Sequence, residues 1–338
     1  MRLLTIVPAD DADAEPLRLR LIDAPTPRPG PGEALVRVTA SGVNRADLLQ
    51  VAGHYPPPPG APEHPGLEVA GVIEALGDQA DAAIPPGTRV MALLAGGGYA
   101  DAAVVPVGQL LPIPDTLTDV EAAALPEALA TVWSNLVGVG DSPVGNLRAG
   151  DTLHVIGGSG GIGTAAVQVG RLLGARVVAT AGGPDRCAAV RALGADVVLD
   201  HRDATPQDVT AAVLAATDGR GVDVVLDVLG GATLTENVRR LATGGRLVVI
   251  GTQRGRRGDL DVLALMQRRA SIHGTTLRGR PLAEKAAITA DVAAHLLPAL
   301  ADGRLRPVVH AAVPAADAER AHAMLRDGAA LGKVVLTW

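Results

Sequence analysis

The chain has 338 residues, 48% of them hydrophobic and 20% charged, which is typical of an ordered globular protein with two domains. Its net charge of −6 and aromatic content of 1% argue against a basic, base-stacking surface for nucleic acid. One cysteine excludes an internal disulfide and a multi-thiolate metal site. There is no signal peptide pattern and no apolar run long enough for a membrane span. We therefore expect a cytoplasmic protein that binds neither nucleic acid nor membrane.

The first third of the chain predicts a β-rich domain. Short apolar runs at 35–39, 67–76 and 88–94 are separated by glycine and proline. This spacing is typical of a β-barrel or sandwich rather than of βαβ units. The last segment, 282–338, predicts one or two helices and a final strand at 333–337, and we expect it to return to the first domain.

From residue 151 onward, apolar strands alternate with helical patterns. The sequence predicts strands at 152–156, 176–181, 197–200, 222–229, 246–251 and 271–277, and helices at 162–173, 184–193, 206–216 and 234–241. Alternation of this length is typical of a doubly wound parallel sheet, covered on both faces, in an α/β fold.

A glycine-rich segment joins the first of these strands to the first helix. Gly158, Gly160 and Gly163 fit the pattern G-x-G-x-x-G. The first glycine would permit the tight turn, the second would let the backbone approach a pyrophosphate, and the third would let the helix pack on the strand. We predict that a dinucleotide contacts Gly158, Ser159, Gly160, Gly161, Ile162 and Gly163. A glycine-rich turn without a ligand remains the alternative.

The end of the second strand bears on the choice between NADH and NADPH. That strand runs into Gly182 and Gly183 with no carboxylate to bind a ribose 2′-hydroxyl, and Arg186 follows in the first helical turn. A guanidinium there could pair with a 2′-phosphate, so the sequence favours NADPH. Asp185 is a counter-signal, and Arg186 as a solvated helix residue is the alternative.

Residues typical of other dehydrogenase chemistries are missing. Neither tyrosine has a lysine four residues later, which excludes the Tyr-x-x-x-Lys pair. We expect Cys187 to be a packed helix residue rather than a ligand. A metal site built from His54, His64 and Glu68 is an alternative, although loop and core roles are favoured for them.

Several motifs together resemble the zinc-free quinone oxidoreductase branch of the medium-chain dehydrogenases/reductases, and within it the p53-inducible quinone oxidoreductase group. They lie at 41–50, 53–60, 65–71, 91–94, 96–100, 125–128 and 332–336. The resemblance implies a GroES-like β-barrel catalytic domain at 1–125, completed by 281–338, and a Rossmann domain at 126–280. It also implies a cofactor in the cleft between the domains and a homodimer.

The same resemblance assigns site residues. Zinc-dependent relatives carry a cysteine where this chain has Asn44 and a Gly-His-Glu where it has 65–68, which implies that zinc is absent. Asn44 and Tyr55 should line the nicotinamide pocket. Relatives have a serine at the position of Gly183 and a tyrosine at the position of His201. Because this chain lacks both side chains, Arg186 would have to contribute more of the binding of a 2′-phosphate. The further cofactor residues would be Thr131, Gly182, Gly183, His201, Leu229, Gly230, Gly251, Thr252 and Lys333.

These observations predict an NADPH-dependent enzyme that transfers hydride to a small conjugated carbonyl compound such as a quinone, without a metal. The anion formed from such an acceptor is delocalised, so the protein must mainly hold the reactants together and exclude water. Asn44 would polarise the acceptor or position the carboxamide, and Tyr55 would donate a proton or serve only as an aromatic wall. The alternatives are an enone or enoyl reductase and a low-turnover NADPH-binding sensor or structural protein.

Overall fold

The computed structural model describes residues 1–8, 17–80, 84–138 and 144–338. These residues form two units, one comprising 1–130 with 277–338 and the other comprising 131–276. The divisions fall a few residues from the expected 125/126 and 280/281. The first differs because one helix, Pro126–Leu136, runs across it.

The first stretch of unit 1 contains seven strands and short helices among the described residues. In chain order these are β1 Arg2–Pro8, β2 Leu17–Asp23, β3 Glu33–Val43, α1 Arg45–Val51, β4 Glu68–Leu76, β5 Arg89–Leu93, β6 Ala102–Pro106, β7 Leu110–Pro112, α2 Asp119–Ala122 and α3 Pro126–Leu136.

Unit 2 alternates strands and helices. Its elements are β8 Thr152–Val155, α4 Gly161–Leu172, β9 Arg176–Ala181, α5 Pro184–Ala192, β10 Val197–Asp200, α6 Pro206–Ala216, β11 Val222–Asp227, α7 Leu234–Arg239, β12 Leu241–Val249, α8 Val262–Arg268 and β13 Ser271–Gly274. The chain then returns to unit 1 with α9 Leu282–Ala301, β14 Val309–Pro314, α10 Ala318–Arg326 and β15 Lys333–Thr337.

The described part of unit 2 has a six-stranded parallel sheet in the order β10-β9-β8-β11-β12-β13. Counted within the unit, this is the order 3-2-1-4-5-6 of a Rossmann fold, in which ligands bind at the carboxyl ends of the strands. The prediction of a doubly wound parallel sheet is confirmed. Valines and leucines from β9, β11 and β12, with those of α6 and α7, form its buried core.

Unit 1 is built on a sheet ordered β14-β15-β3-β4-β5-β7, with β6 also paired to β3. The two strands flanking β3 come from opposite ends of the chain, since β4 follows it directly and β15 begins at Lys333. Buried aliphatic residues of β3, β4, β5 and β6 fill one core cluster, and Tyr99 packs with residues of β15 and α10 in another. This arrangement confirms the GroES-like β-rich domain.

The sequence missed several elements, chiefly where the pattern was short. The hairpin β1–β2, the helices α1, α2, α3 and α8, and β14 were not predicted. Except for the eleven-residue α3, each helix is about one to two turns long and each strand is partly exposed without clear periodicity. The strand expected at 246–251 begins earlier, at Leu241, because the chain leaves α7 at Arg239 and Leu241 pairs at once with Val222.

Among the described residues no helix has both the length and the apolar composition needed to cross a bilayer.

Candidate active site

The glycine-rich turn of unit 2 has the geometry of a phosphate cradle. The chain leaves β8 through Gly157, whose φ is +75°, and α4 begins at Gly161 with no side chain capping its first turn. A Cβ on Gly163 would lie 2.1 Å from the carbonyl oxygen of Gly157, so only glycine allows the helix to approach the turn this closely. Over Gly160 a Cβ would meet nothing closer than 3.6 Å, which leaves that backbone accessible to an anion.

One role in this turn differs from the prediction. The motif predicts the tight turn at Gly158, but the residue with a left-handed backbone is Gly157, the glycine before the motif. Gly158 instead lies against the neighbouring strand, because its N–H donates to the carbonyl oxygen of Thr180 at 2.7 Å and a Cβ there would be 3.1 Å from that of Ala179. Of the other predicted contacts, Ser159 is buried and Ile162 is half-buried at the start of α4.

At the ends of β9 and β10 the structure brings together three of the predicted residues and adds an arginine. His201 Nε2 would be 3.4 Å from a Cβ on Gly182, and the guanidinium of Arg202 lies over Gly183. Arg202 Nη2 donates to the carbonyl oxygen of Gly182 at 3.1 Å. Sequence reasoning missed Arg202, although parallel neighbours such as β9 and β10 end at the same edge of a sheet.

Positive charge gathers around His201. The pKa of its half-buried imidazole is lowered, first by burial and then by the guanidinium of Arg254; Asp200 opposes this, and Arg186 and Arg202 add smaller lowering effects. Arg254 was not predicted from the sequence. The fourth predicted residue of this edge, Arg186, thus lies in the same environment as two further arginines.

A carboxylate also lies at this edge. Asp200 is paired with Ala181 across the two strands, and one of its oxygens accepts hydrogen bonds from the N–H of Gly183 at 2.9 Å and of Arg202 at 3.0 Å. These two bonds lower the pKa of Asp200. This acid was not predicted, because the carboxylate of a dinucleotide site is expected at the end of the second strand, whereas Asp200 ends the third.

The end of β11 positions the segment predicted to border the ribose. The carboxylate of Asp227 accepts hydrogen bonds from the N–H of Leu229 at 2.7 Å and of Gly230 at 3.1 Å. A Cβ on Gly230 would lie 3.0 Å from the carbonyl oxygen of Gly251 and from Cα of Thr252. The four predicted residues of this edge are therefore in contact. Burial raises the pKa of Asp227 to about 6.

Thr131 lies buried in α3. Its place beside a nicotinamide ribose remains a prediction.

In unit 1, Asn44 lies in a buried polar cluster at the end of β3. Its Nδ2 donates to Glu68 Oε1 at 2.9 Å, and its Oδ1 accepts from Lys333 Nζ at 2.5 Å. Lys333 Nζ is also 2.5 Å from Glu68 Oε1 and donates to the carbonyl oxygen of Val43 at 3.1 Å. Gly42 makes this possible, because a Cβ there would lie 2.2 Å from Glu68 Oε1.

This cluster changes the description of Lys333. The sequence predicts it as a cofactor residue, yet its ammonium group contacts Val43, Asn44 and Glu68, all within unit 1. Glu68, which the sequence suggested only as a possible metal ligand, is its ion-pair partner. A contact of Lys333 with the cofactor remains a prediction.

A second buried network of hydrogen bonds holds the backbone of Asn44. Asp47, in α1, accepts from the N–H of Asn44 at 2.8 Å and from that of Gly66 at 3.0 Å. The hydroxyl of Tyr99 lies 3.2 Å from Asp47 and 3.1 Å from Nε2 of His322. Burial raises the pKa of Asp47 to about 6 and lowers that of His322 to about 4. This network therefore fixes the position of the Asn44 backbone, from which its side chain extends.

Tyr55 lies in a half-buried setting of its own. The guanidinium carbon of Arg278 is 5.2 Å from the centre of its ring, a cation–π distance, and Arg278 Nη1 donates to its carbonyl oxygen at 3.1 Å. Arg278 also binds Gln50 at 2.7 Å, which ties Tyr55 to the end of α1. Burial raises the pKa of the Tyr55 hydroxyl, which Arg278 lowers and Glu127 raises.

Glu127 connects the two predicted catalytic residues. Its charge acts on Tyr55, and its N–H donates to Glu68 Oε2 at 2.9 Å. Glu68 in turn binds Asn44. No hydrogen bond joins Asn44 and Tyr55 to each other in the described residues.

The chain matches two families. Residues 30–115 match the family described as alcohol dehydrogenase GroES-like domain, and residues 161–292 match the one described as zinc-binding dehydrogenase. The quinone oxidoreductase of Mus musculus is 31% identical over 318 residues, which cover 93% of this chain and 92% of that protein. The chain belongs to the quinone oxidoreductase branch of the medium-chain dehydrogenases/reductases.

Other relatives of this quinone oxidoreductase-like protein extend the comparison. A solved quinone oxidoreductase from Thermus thermophilus, described with its NADPH complex, is 35% identical with a TM-score of 0.82 over 100% of both chains. A subunit of the phenolphthiocerol/phthiocerol polyketide synthase of Mycobacterium tuberculosis is 34% identical over 311 residues. That match covers 92% of this chain but only 14% of the synthase subunit. The chain is an oxidoreductase of this superfamily with a nicotinamide dinucleotide as cofactor.

Zinc is implied by the name of one matched family, and the residues of this oxidoreductase do not fit it. Glu68 is fully buried against Lys333, whereas His54 is exposed and His64 Nε2 lies 3.2 Å from the carbonyl oxygen of Gly97. The metal site considered from these three residues is therefore not assembled. No cluster of three acidic, histidine or cysteine side chains suited to a metal occurs in the described residues, and Cys187 is buried against β9.

Proposed function

We propose that this protein reduces a quinone or a similar conjugated carbonyl compound with NADPH, and that it does so without a metal. The observation that carries the proposal is the Asn44–Glu68–Lys333 cluster, in which an oriented amide stands at the position where the resemblance implies a cysteine in zinc-dependent relatives, and an ammonium is paired with Glu68. The quinone oxidoreductases among the relatives support the choice of acceptor.

The donors of unit 1 suit a delocalised product anion. When bound, the dinucleotide supplies a hydride from its nicotinamide ring. An N–H of Asn44 orients the acceptor and hydrogen-bonds its carbonyl oxygen as negative charge develops there. The Tyr55 hydroxyl, with its pKa raised by burial, supplies the proton that completes the hydroquinone, and solvent returns that proton to Tyr55. The balance is quinone, NADPH and one proton to hydroquinone and NADP⁺.

The preference for NADPH over NADH rests on the edge formed by β9 and β10. The charges of Arg186, Arg202 and Arg254 all act on His201 there, so the positive potential of this edge suits a 2′-phosphate. Asp200, the acid that could instead bind a ribose hydroxyl, is held by two backbone N–H groups, both of which donate to its Oδ1. This charge distribution favours the phosphorylated cofactor.

The second candidate is reduction of a carbon–carbon double bond conjugated to a carbonyl. It uses the same hydride and the same donors, and the match to a polyketide synthase subunit favours it. The test is steady-state oxidation of NADPH and NADH with a panel of quinones and a panel of enones. Turnover confined to enones would favour the second candidate, and tight NADPH binding without turnover would favour a sensor or structural role.

The proposal includes assembly as a homodimer. On α8, the side chains of Val262, Leu263 and Met266 are 57%, 61% and 67% exposed, an apolar cluster that a second copy of this chain would cover. The adjacent strand β13 is at an edge of the sheet and pairs only with β12 among the described residues, so its outer side can accept a strand from that copy.

A further inference from the structure

The side-chain amide of Asn44 is hydrogen-bonded at its oxygen by a group that can only donate and at its nitrogen by a group that can only accept. Oδ1 faces the ammonium of Lys333 at 2.5 Å, and Nδ2 faces a carboxylate oxygen of Glu68 at 2.9 Å. Rotating the amide by 180° would put its NH₂ group against the ammonium and its oxygen against the carboxylate. The two charges therefore select one orientation of an otherwise nearly symmetric group.

The charged atoms of Lys333 and Glu68 all have hydrogen-bond partners in this arrangement. Their side chains are 6% and 0% exposed, so neither is solvated. The remaining ammonium proton of Lys333 is directed to the carbonyl oxygen of Val43, and the second oxygen of Glu68 accepts from the N–H of Glu127. Burial of two charges is costly unless they are paired and hydrogen-bonded, and here both conditions are met.

One N–H of the Asn44 amide has no hydrogen-bond partner among the described residues. Each amide nitrogen has two protons, and only one N–H of Asn44 has a partner among the described residues. Hydrogen bonds that run in one direction through an amide polarise it, so an ammonium on the oxygen makes the N–H groups stronger donors. The second N–H is thus oriented, and the ammonium on Oδ1 strengthens it as a donor, against the opposing effect of the Glu68 carboxylate on the same nitrogen.

We propose that Lys333 and Glu68 are positioning residues that fix the Asn44 amide, and that Lys333 also polarises it, so that its second Nδ2–H serves as the hydrogen-bond donor to the acceptor's carbonyl oxygen. The inference rests on the proposed function for the identity of the acceptor. The orientation of the amide itself can be tested without turnover.

The first experiment observes the amide directly. The chain has four asparagines, Asn44, Asn135, Asn146 and Asn237, so labelling asparagine side chains with ¹⁵N gives four NH₂ signals, and Asn44→Asp identifies one of them. In Lys333→Met we expect the Asn44 signals to shift and their protons to exchange with water on the order of tenfold faster, since a charge that holds them is gone. Lys333→Arg should retain most of the wild-type pattern.

The matched control is Lys285→Met, which removes the chain's other lysine, also buried, whose Nζ lies 3.4 Å from the carbonyl oxygen of Arg278. The Asn44 signals should not move in this variant. Unchanged Asn44 signals and exchange in Lys333→Met would overturn the proposal. If that variant does not fold, Lys333→Met/Glu68→Gln removes both charges together and is held to the same expectation.

The second experiment is a double-mutant cycle on turnover at saturating NADPH. Asn44→Ala and Lys333→Met should each lower kcat by roughly tenfold or more, and the double variant should be no slower than Asn44→Ala, because Lys333 acts through Asn44. Effects on kcat that multiply would contradict this. If the wild-type protein reduces no quinone or enone, the proposed function fails, while the amide signals still decide the positioning role.

Discussion

The guanidinium of Arg202 lies over Gly183, where a Cβ would come within 2.2 Å of its Nη2 nitrogen. Gly183 also has a φ of +89°, in the left-handed region that strains residues with side chains. The glycine that looked in the sequence like the loss of a serine from the 2′-phosphate site therefore makes room for an arginine.

We expect Arg202→Ala to weaken NADPH binding by roughly 5- to 150-fold while leaving NADH binding nearly unchanged, because a charge-assisted contact contributes about 1–3 kcal/mol. Arg186→Ala should act in the same direction. Fluorescence titration with both cofactors measures the effect, with Arg304→Ala, an exposed arginine of unit 1 paired with Asp302, as the control. Equal losses for NADH and NADPH would refute a role in phosphate recognition.

Tyr55→Phe should lower kcat by about tenfold to several hundredfold while NADPH affinity is retained. The variant keeps the ring on which Arg278 stacks and removes only the hydroxyl. Steady-state kinetics with a quinone substrate provides the measurement, and the thermal midpoint checks that the fold persists. If the variant is fully active, Tyr55 is a packing residue and the proton comes from solvent.

The protein as purified should contain no stoichiometric zinc, and incubation with a chelator should leave its turnover intact. The reason is that the ammonium of Lys333 lies 2.5 Å from Glu68, so a cation already occupies that carboxylate. Elemental analysis together with activity after chelation checks both statements. About one zinc per chain, removed with loss of activity, is the contrary result.

Asp227 should make the stability of the protein depend on pH in a specific direction. Its folded pKa is about 6, above the ordinary value of 3.8, so the folded state binds the extra proton and this group's contribution to stability falls as pH rises from about 4 to about 6. Two pKa units correspond to about 3 kcal/mol at most. Urea unfolding of the wild type and Asp227→Asn should therefore diverge across that window.

The control for this measurement is Asp302→Asn. Asp302 is exposed, and hydrogen bonds from Arg304 lower its pKa, so it should stay ionised between pH 4 and pH 6. A constant difference between wild type and Asp227→Asn over that range would mean that Asp227 does not titrate there.

Leu263→Glu or Met266→Glu should convert a homodimer into monomers, since a charge would be placed in the apolar cluster of α8. Light scattering after size exclusion reports the mass. The exposed Leu282 of α9, in unit 1, gives the matched control Leu282→Glu, which should leave the mass unchanged. A monomeric wild type at micromolar concentration would contradict the dimer.

The sequence predicted best those features whose residues lie close together along the chain. The strand–glycine–helix motif and most of the strands of unit 2 could be predicted because their periodicity and flanking glycines lie within a few residues of each other. Asn44 and Lys333 were both identified, yet their contact was not, because 289 positions separate them and nothing in a single sequence links such distant side chains. Arg202 was missed for a related reason, since it follows β10 whereas its neighbour Gly183 follows β9, and nothing in the sequence shows that the two strands pair.

The place of β15 beside β3 has a consequence for how the chain folds. Unit 2 lies between these two strands in sequence, and its parallel sheet pairs strands within 131–276. Closing a loop of nearly three hundred residues is slower than forming contacts inside it. We therefore expect unit 2 to fold first and the β3–β15 pairing to follow. Until that late step the carboxylate of Glu68 has no counter-ion, so refolding should regain dinucleotide binding before it regains turnover.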